Sequence, residues 1–251
     1  MRTQTVCGHA TDPHIGNTMS KTNRFWLVPA AFFTVCCILN LIGCLQGSGL
    51  EKTVKPALLP LLCATSAAWL MDKAARRRES SLLFSAQLFG FAGDTALLGH
   101  GFTFMVGGIG LFLVGHIFYI SLFGSRSFKG LRPWHWAAGI TGALALTAGL
   151  VAGIGVKGTM LAPMGIYGFV LGMLIFSTLA GALRFGGPLW WLLTAGALLF
   201  TFSDALIAVR IFGTLSPFMD GFGVMSTYLA AQSLLAFGGC RLAAERLEHS
   251  N

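Results

Sequence analysis

Eight apolar runs, each about the twenty residues that a helix needs to cross a bilayer, follow one another along this chain with short polar breaks between them. They fall at 25–45, 55–72, 80–99, 103–124, 133–153, 159–183, 188–212 and 221–243. Nothing else in the sequence restricts the fold so strongly. In lipid every backbone N–H and C=O must find its partner within the spanning structure, which leaves helices and closed barrels. Alternation with period two is absent from these runs, and that removes the barrel. Composition agrees: 10% of the 251 residues are charged, against about 25% in a soluble domain, and mean hydropathy is +0.72. Too little polar surface is available for an ordinary water-soluble enzyme. The pattern predicts an all-α integral membrane protein, a single bundle of eight transmembrane helices over 25–243. A polar leader (1–24) precedes it and a short tail (244–251) follows.

Eight crossings put both termini on one side, and the basic residues say which. Arg2, Lys21 and Arg24, the triplet Arg76, Arg77 and Arg78, and Lys73, Arg126, Lys129, Arg132, Arg184, Arg241 and Arg246 share the side of the termini, whereas Lys52, Lys55, Lys157 and Arg210 lie opposite. The positive-inside rule makes the first side cytoplasmic. Trp26, Trp69, Trp134, Trp136, Trp190 and Trp191 gather at those same helix ends, as an interfacial aromatic belt would. The net charge of +8 is thus a topology signal, and its scatter along the chain does not make a nucleic-acid surface. The leader lacks a cleavage signature, so the first run reads as an uncleaved helix. Cys36, Cys37, Cys44, Cys63 and Cys240 lack the paired spacing of a zinc site or a disulfide framework. Gly165, Gly168 and Gly172, and Gly149 with Gly153, have the small-xxx-small spacing that lets helices pack closely, within the bundle or across a homodimer face.

Polar residues inside the apolar runs carry the functional signal. Seven of the nine acidic residues sit in the leader, in loops or at helix ends, but Asp94 and Asp204 lie within the third and seventh runs. A carboxylate at mid-membrane costs about 2.5–3.5 kcal/mol on insertion scales and is seldom placed there without function. Counting at 1.5 Å per residue from the cytoplasmic ends places Asp94 about 21 Å and Asp204 about 24 Å up, both in the outer half. Their expected arrangement is a shared cavity open to the non-cytoplasmic side, flanked by Lys55 and Arg210 as phosphate contacts. Lys55-Pro56 then reads as the opening of the second helix, with proline in its first turn. Tyr167 and Tyr228 are candidates to line the cavity. His116 and Tyr119, one turn apart on the fourth helix, read as supporting groups beneath the acids, with Ser203 or Thr201 as local partners for Asp204. Three uses of the carboxyls stay open on these residues. They could form hydrogen bonds between helices, relay protons or cations in a transporter, or divide acid and charge-stabilising roles, since apolar burial and a carboxylate neighbour both favour one proton held between two carboxyls. Metal ligation would need more inward-facing ligands than are present.

Taken in order, Lys55-Pro56, Gly93-Asp94 with Leu97-Leu98, Gly115-His116 with Tyr119 and Phe123, Tyr167, and Ser203-Asp204 with Leu206 resemble the YhhN family, which includes lysoplasmalogenases. The likeness covers the second to the eighth helix. It implies a multi-pass hydrolase of the bacterial inner membrane that cleaves the vinyl ether of a lysophospholipid substrate, the lysoplasmalogen, releasing a fatty aldehyde without a cofactor. The family's paired aspartates correspond to Asp94 and Asp204, and its Lys, His and Tyr positions to Lys55, His116 and Tyr119. Vinyl ether hydrolysis passes through an oxocarbenium ion, and glycosidases use two carboxyls around a similar cation.

Overall fold

The computed structural model describes residues 24–245 apart from positions 72 and 74. The leader through residue 23, with Arg2 and Lys21, and the tail beyond Glu245, with Arg246, lie outside the described residues. Within them are eight long α-helices: α1 (Leu27–Gln46), α2 (Leu50–Met71), α3 (Arg77–Ala96), α4 (Phe102–Ser127), α5 (Pro133–Ile154), α6 (Leu161–Phe185), α7 (Gly187–Phe212) and α8 (Val224–Ala244). A short 3₁₀ turn, Gly158–Met160, leads into α6, and a π-helical turn, Met219–Gly223, leads into α8.

Six of the eight are long and apolar enough to cross a membrane: α1, α2, α4, α5, α6 with its leading turn, and α7. The other two, α3 and α8, have comparable length but lower hydropathy. The cause is visible in their sequences, since α3 begins Arg77-Arg78-Glu79 and contains Gln87 and Asp94, while α8 carries Tyr228, Gln232, Ser233 and Arg241. Most of those side chains face protein. In α8 thirteen residues are buried, Gln232 and Tyr228 among them, and Glu79, Gln87 and Asp94 of α3 are buried as well. A helix walled off from lipid by its neighbours can hold polar residues that a lipid-facing helix cannot.

At the periphery the opposite holds. Among the described residues only Ala143 of α5, and Asn40 and Gly43 of α1, are buried, and both helices present apolar side chains outward. Small residues seat them. A Cβ on Gly172 would stand 2.7 Å from Ala143, and one on Gly168 3.3 Å from Thr147, so α5 and α6 meet at backbone distance. A Cβ on Gly149, Gly153 or Gly165 would meet nothing within 4 Å, so only part of the glycine pattern lies in the helix seam. Between α6 and α7 the chain reverses through Gly186 and Gly187, with φ of 64° and 77°, angles that side chains other than glycine's rarely tolerate. Helix α2 begins at Leu50, more than a turn before the expected opening at Lys55-Pro56. Pro56 and Pro60 therefore lie inside the helix. The missing N–H groups leave carbonyls of α2 without a donor, which a bundle can compensate from neighbouring groups.

The largest core cluster joins Leu58, Leu83, Tyr119, Phe123, Leu174, Phe200 and Leu235, side chains from α2, α3, α4, α6, α7 and α8. At one end of the bundle Arg126 of α4 ties to α8, pairing with Glu245 at 2.6 Å and donating to the Leu242 carbonyl. The candidate site residues gather at the other end.

Candidate active site

The hairpin through Gly186 and Gly187 sets the first contact. Tyr167 precedes Gly186 by nineteen residues and Asp204 follows it by eighteen, so antiparallel packing of α6 on α7 brings them level. The Tyr167 hydroxyl donates to Asp204 Oδ2 at 2.5 Å. A matching pair forms between α8 and α3, where the Tyr228 hydroxyl donates to Asp94 Oδ2, also at 2.5 Å. Asp94 has a second partner, the Lys55 ammonium of α2, 3.3 Å from its Oδ1. The Asp94 side chain is 5% exposed and that of Lys55 21%. For Asp204 no ion pair exists among the described residues, although it stands close enough to Asp94 for their charges to interact. Of the two buried carboxyls, Asp94 alone has a cation partner among the described residues.

Asp204 forms part of the wall of a cavity of about 440 Å³. The cavity lies between the end of α3, the start of α4, the end of α5, the start of α6 and the end of α7. Its wall is chiefly apolar, with Met105, Ile109, Phe112, Val151, Met164 and Ile211 contributing, and Tyr167, Arg210 and His100 supply its polar edge. Val156, Met160 and Met164, from the turn between α5 and α6 and the start of α6, form a small apolar cluster of their own, and Val156 and Met164 line the cavity. Arg210 pairs with Asp220 at 3.2 Å, with both side chains more than 40% exposed. Such surface pairs contribute about 0–1 kcal/mol, so Arg210 is available to another anion.

Asp94 and Lys55 do not line this cavity, and neither does Tyr228. Phe112 separates them from it. Its ring stands edge-on to Tyr228 with centroids 6.3 Å apart and to Phe200 at 6.4 Å, and it fills the space beside Gly93, where a Cβ would meet the ring at 2.8 Å. The two carboxyls sit on either side of an aromatic layer, one on the cavity and one behind it.

His116 lies deeper. Its ring is edge-on to Phe200 at 4.5 Å and to Tyr167 at 5.7 Å. Among the described residues neither ring nitrogen makes a hydrogen bond. Tyr119 faces α8, donating to Gln232 Oε1 at 3.2 Å, and Gln232 Nε2 donates to the Tyr228 hydroxyl at 3.3 Å. Tyr119, Gln232, Tyr228 and Asp94 therefore form one chain of hydrogen bonds ending at the Lys55 pair. Ser203 and Thr201 do not bond to Asp204: Ser203 donates to the Val224 carbonyl at 3.1 Å, fixing α7 to the start of α8, and Thr201 to the Ala197 carbonyl of its own helix.

Three participants escape a reading of the sequence for charges. Gln232 is four residues after Tyr228 in an apolar run, hence on the same helical face, and that spacing is a signal of its role. His100, exposed in the turn between α3 and α4, and Phe112 acquire their positions only from packing.

Known proteins resemble this chain along most of its length. The chain is 31% identical over 221 residues to mouse (Mus musculus) lysoplasmalogenase TMEM86B, covering 87% of this chain and 88% of that protein. It is 28% identical over 245 residues to human (Homo sapiens) lysoplasmalogenase TMEM86A, covering 92% and 95%, and 30% identical over 224 residues to human lysoplasmalogenase TMEM86B, covering 86% and 87%. No solved structure matches it. The sequence profile of the YhhN family matches residues 50–239, from the first turn of α2 nearly to the end of α8, and the chain belongs to the YhhN family.

Proposed function

We propose that this protein is an ether hydrolase of the membrane, cleaving the vinyl ether of alkenyl-glycerophosphoethanolamine or -choline to a fatty aldehyde and a glycerophospho-alcohol. The relatives named lysoplasmalogenase support this reading along nearly their full length. The observation that carries it is a buried carboxyl, Asp204, in the wall of an apolar cavity with a cation at its edge. A single alkenyl chain suits the apolar wall. Arg210 lies six residues beyond Asp204 on α7, about 9 Å along the helix, and its side chain can reach a phosphate a few bonds from the ether oxygen.

Charge balance divides the two acids. Lys55 neutralises Asp94, and a second bare negative charge beside it would go uncompensated in a water-poor site. Asp204 therefore holds the proton. It protonates the β-carbon of the vinyl ether, and the positive charge left on the α-carbon and oxygen is stabilised by the Asp204 carboxylate so formed, with the Asp94 charge acting across the Phe112 layer. Water adds to the α-carbon and returns a proton to Asp204, and the hemiacetal collapses to aldehyde and alcohol as its hydroxyl loses a proton and the ether oxygen takes one up. Positioned proton transfer contributes about 10²–10⁴-fold, and negative charge near the oxocarbenium ion adds to that. Tyr167 orients Asp204, Tyr228 orients Asp94, and Tyr119 and His116 support them from below. Ser203 holds α7 against α8. The topology that accompanies this reading has eight crossings, cytoplasmic termini, one catalytic domain over 25–243, and a cavity open toward the non-cytoplasmic side of the bacterial inner membrane.

Aldehyde release by the purified protein in detergent, with a chelator present, is the direct test. A proton- or cation-coupled transporter using Asp94 and Asp204 as a relay would release none, and that result would overturn the proposal. Asp204→Asn and Asp94→Asn should each lower turnover at least about 10²-fold while the protein stays folded. Near-normal turnover in Asp204→Asn would remove it as the acid.

A further inference from the structure

A second hollow, of about 610 Å³, lies at the opposite end of the bundle between the start of α5 and the end of α6. Its sides are apolar, from Ala138, Leu179 and Leu183, and its floor is the Phe176 ring lying against Gly139, where a Cβ would meet it at 2.5 Å. Phe128 stacks on that ring at 5.4 Å and holds it in place. Leu183 is 73% exposed and Trp134 61%, so the hollow is open along the membrane-facing side of two helices.

The polar end of the hollow is entirely basic. The Arg184 guanidinium approaches the turn at Gly130, its Nη2 being 3.5 Å from where a Cβ would stand, and the positive φ of 70° at Gly130 shapes that turn. Arg184 has no ion pair or hydrogen bond among the described residues, and Lys129 and Arg132 of the same loop have no ion pair there either. Glu79 and Glu245, the described carboxylates at the helix ends on this side, are already engaged by Arg76 and Arg126. His135 adds a donor of fixed identity. Its Nδ1 accepts the Arg132 N–H at 3.1 Å, so the neutral ring carries its proton on Nε2. Trp134 stacks on His135 with centroids 3.7 Å apart, and tryptophan is enriched where headgroups meet acyl chains.

We propose that this hollow is a binding site for one anionic phospholipid of the membrane, its phosphate on Arg184 and His135 and an acyl chain along Phe176, Leu179 and Leu183. The site is separate from the Asp204 cavity and stands whether or not the chain is a hydrolase. Basic pockets between helices at a membrane surface recognise anionic headgroups in this way, with about 1 kcal/mol, or roughly fivefold in affinity, from each cation.

Native mass spectrometry of the full chain in detergent, titrated with phosphatidylglycerol and with phosphatidylcholine of matched chains, tests it. One phosphatidylglycerol should be retained, with a preference of at least about fivefold. Arg184→Gln should abolish the preference and His135→Gln should weaken it. Arg78→Gln, which removes an exposed charge outside the hollow, should leave it intact. Equal retention of the two lipids by the unsubstituted protein, or equal loss in Arg184→Gln and Arg78→Gln, would overturn the site. Displacement of the lipid by millimolar inorganic phosphate would also overturn it, as the mark of a phosphate site without a lipid. Should Arg184→Gln fail to fold, Ala138→Trp fills the hollow while keeping every charge; lipid retained by that variant would equally refute the proposal.

Discussion

At the scale of single residues, the Lys55–Asp94 pair changes what each is expected to do. A lysine beside a phosphate site would act on substrate affinity, whereas a lysine 3.3 Å from a buried carboxylate sets that carboxylate's charge. Lys55→Met should therefore lower kcat more than it raises KM. It should also destabilise the protein by about 1–3 kcal/mol, less than the loss of a partner in a fully buried pair, because the lysine is one-fifth exposed. The double variant Lys55→Met with Asp94→Asn should regain most of that stability in thermal melts, since it leaves no unpaired charge. Melts that simply add would show that the pair is not coupled. Tyr167→Phe removes the donor to Asp204 Oδ2 and should reduce turnover by about 5–100-fold, the equivalent of a lost hydrogen bond to a charged or acidic group. Unchanged turnover would mean that Tyr167 only packs. The carboxyls themselves were legible as charges in apolar runs. Their partners were not, because a sequence does not say which helix faces which.

At the scale of elements, the α5–α6 seam depends on two small positions. Gly172→Ala places a methyl 2.7 Å from Ala143, and overpacking of this kind costs about 1–3 kcal/mol. Gly149→Ala adds the same methyl where nothing lies within 4 Å and should be neutral or slightly stabilising. Melting temperatures in one detergent compare them directly, and equal shifts would contradict the packing. The seam matters because residues of α5 and α6 form one wall of each hollow. The boundaries of most helices could be read from hydropathy to within a turn. Helix α2 was the exception, since a proline inside a helix and a proline at its start look alike until the preceding residues are seen to be helical.

For the whole molecule, orientation is the property to measure. Single cysteines at Lys52 and Lys157, introduced into a chain whose own cysteines have been replaced, should react with an impermeant reagent only from outside. Labelling only from the cytoplasm would invert the bundle and, with it, the face from which the proposed substrate would enter the Asp204 cavity. The buried polar residues of α3 and α8 bear on the same question: α2 and α4 pack on α3, and α2 and α7 on α8, so the two helices of lower hydropathy are also the ones whose polar side chains are sheltered by neighbours.

Hydropathy, charge bias and insertion cost are properties of a residue and its chain neighbours, and they sufficed for the helical membrane class, the order of the helices and the two acids worth suspecting. Contacts between helices depend on rotation about each axis and on how closely two backbones approach. Only the tertiary structure could decide that Asp204 lines a cavity while Asp94 stands behind Phe112, that Lys55 is held by Asp94, and that Tyr119 reaches it through Gln232. A side chain's neighbours 113 positions away, as Gln232 is from Tyr119, are set by packing against small residues, and that information lies in no local window of the chain.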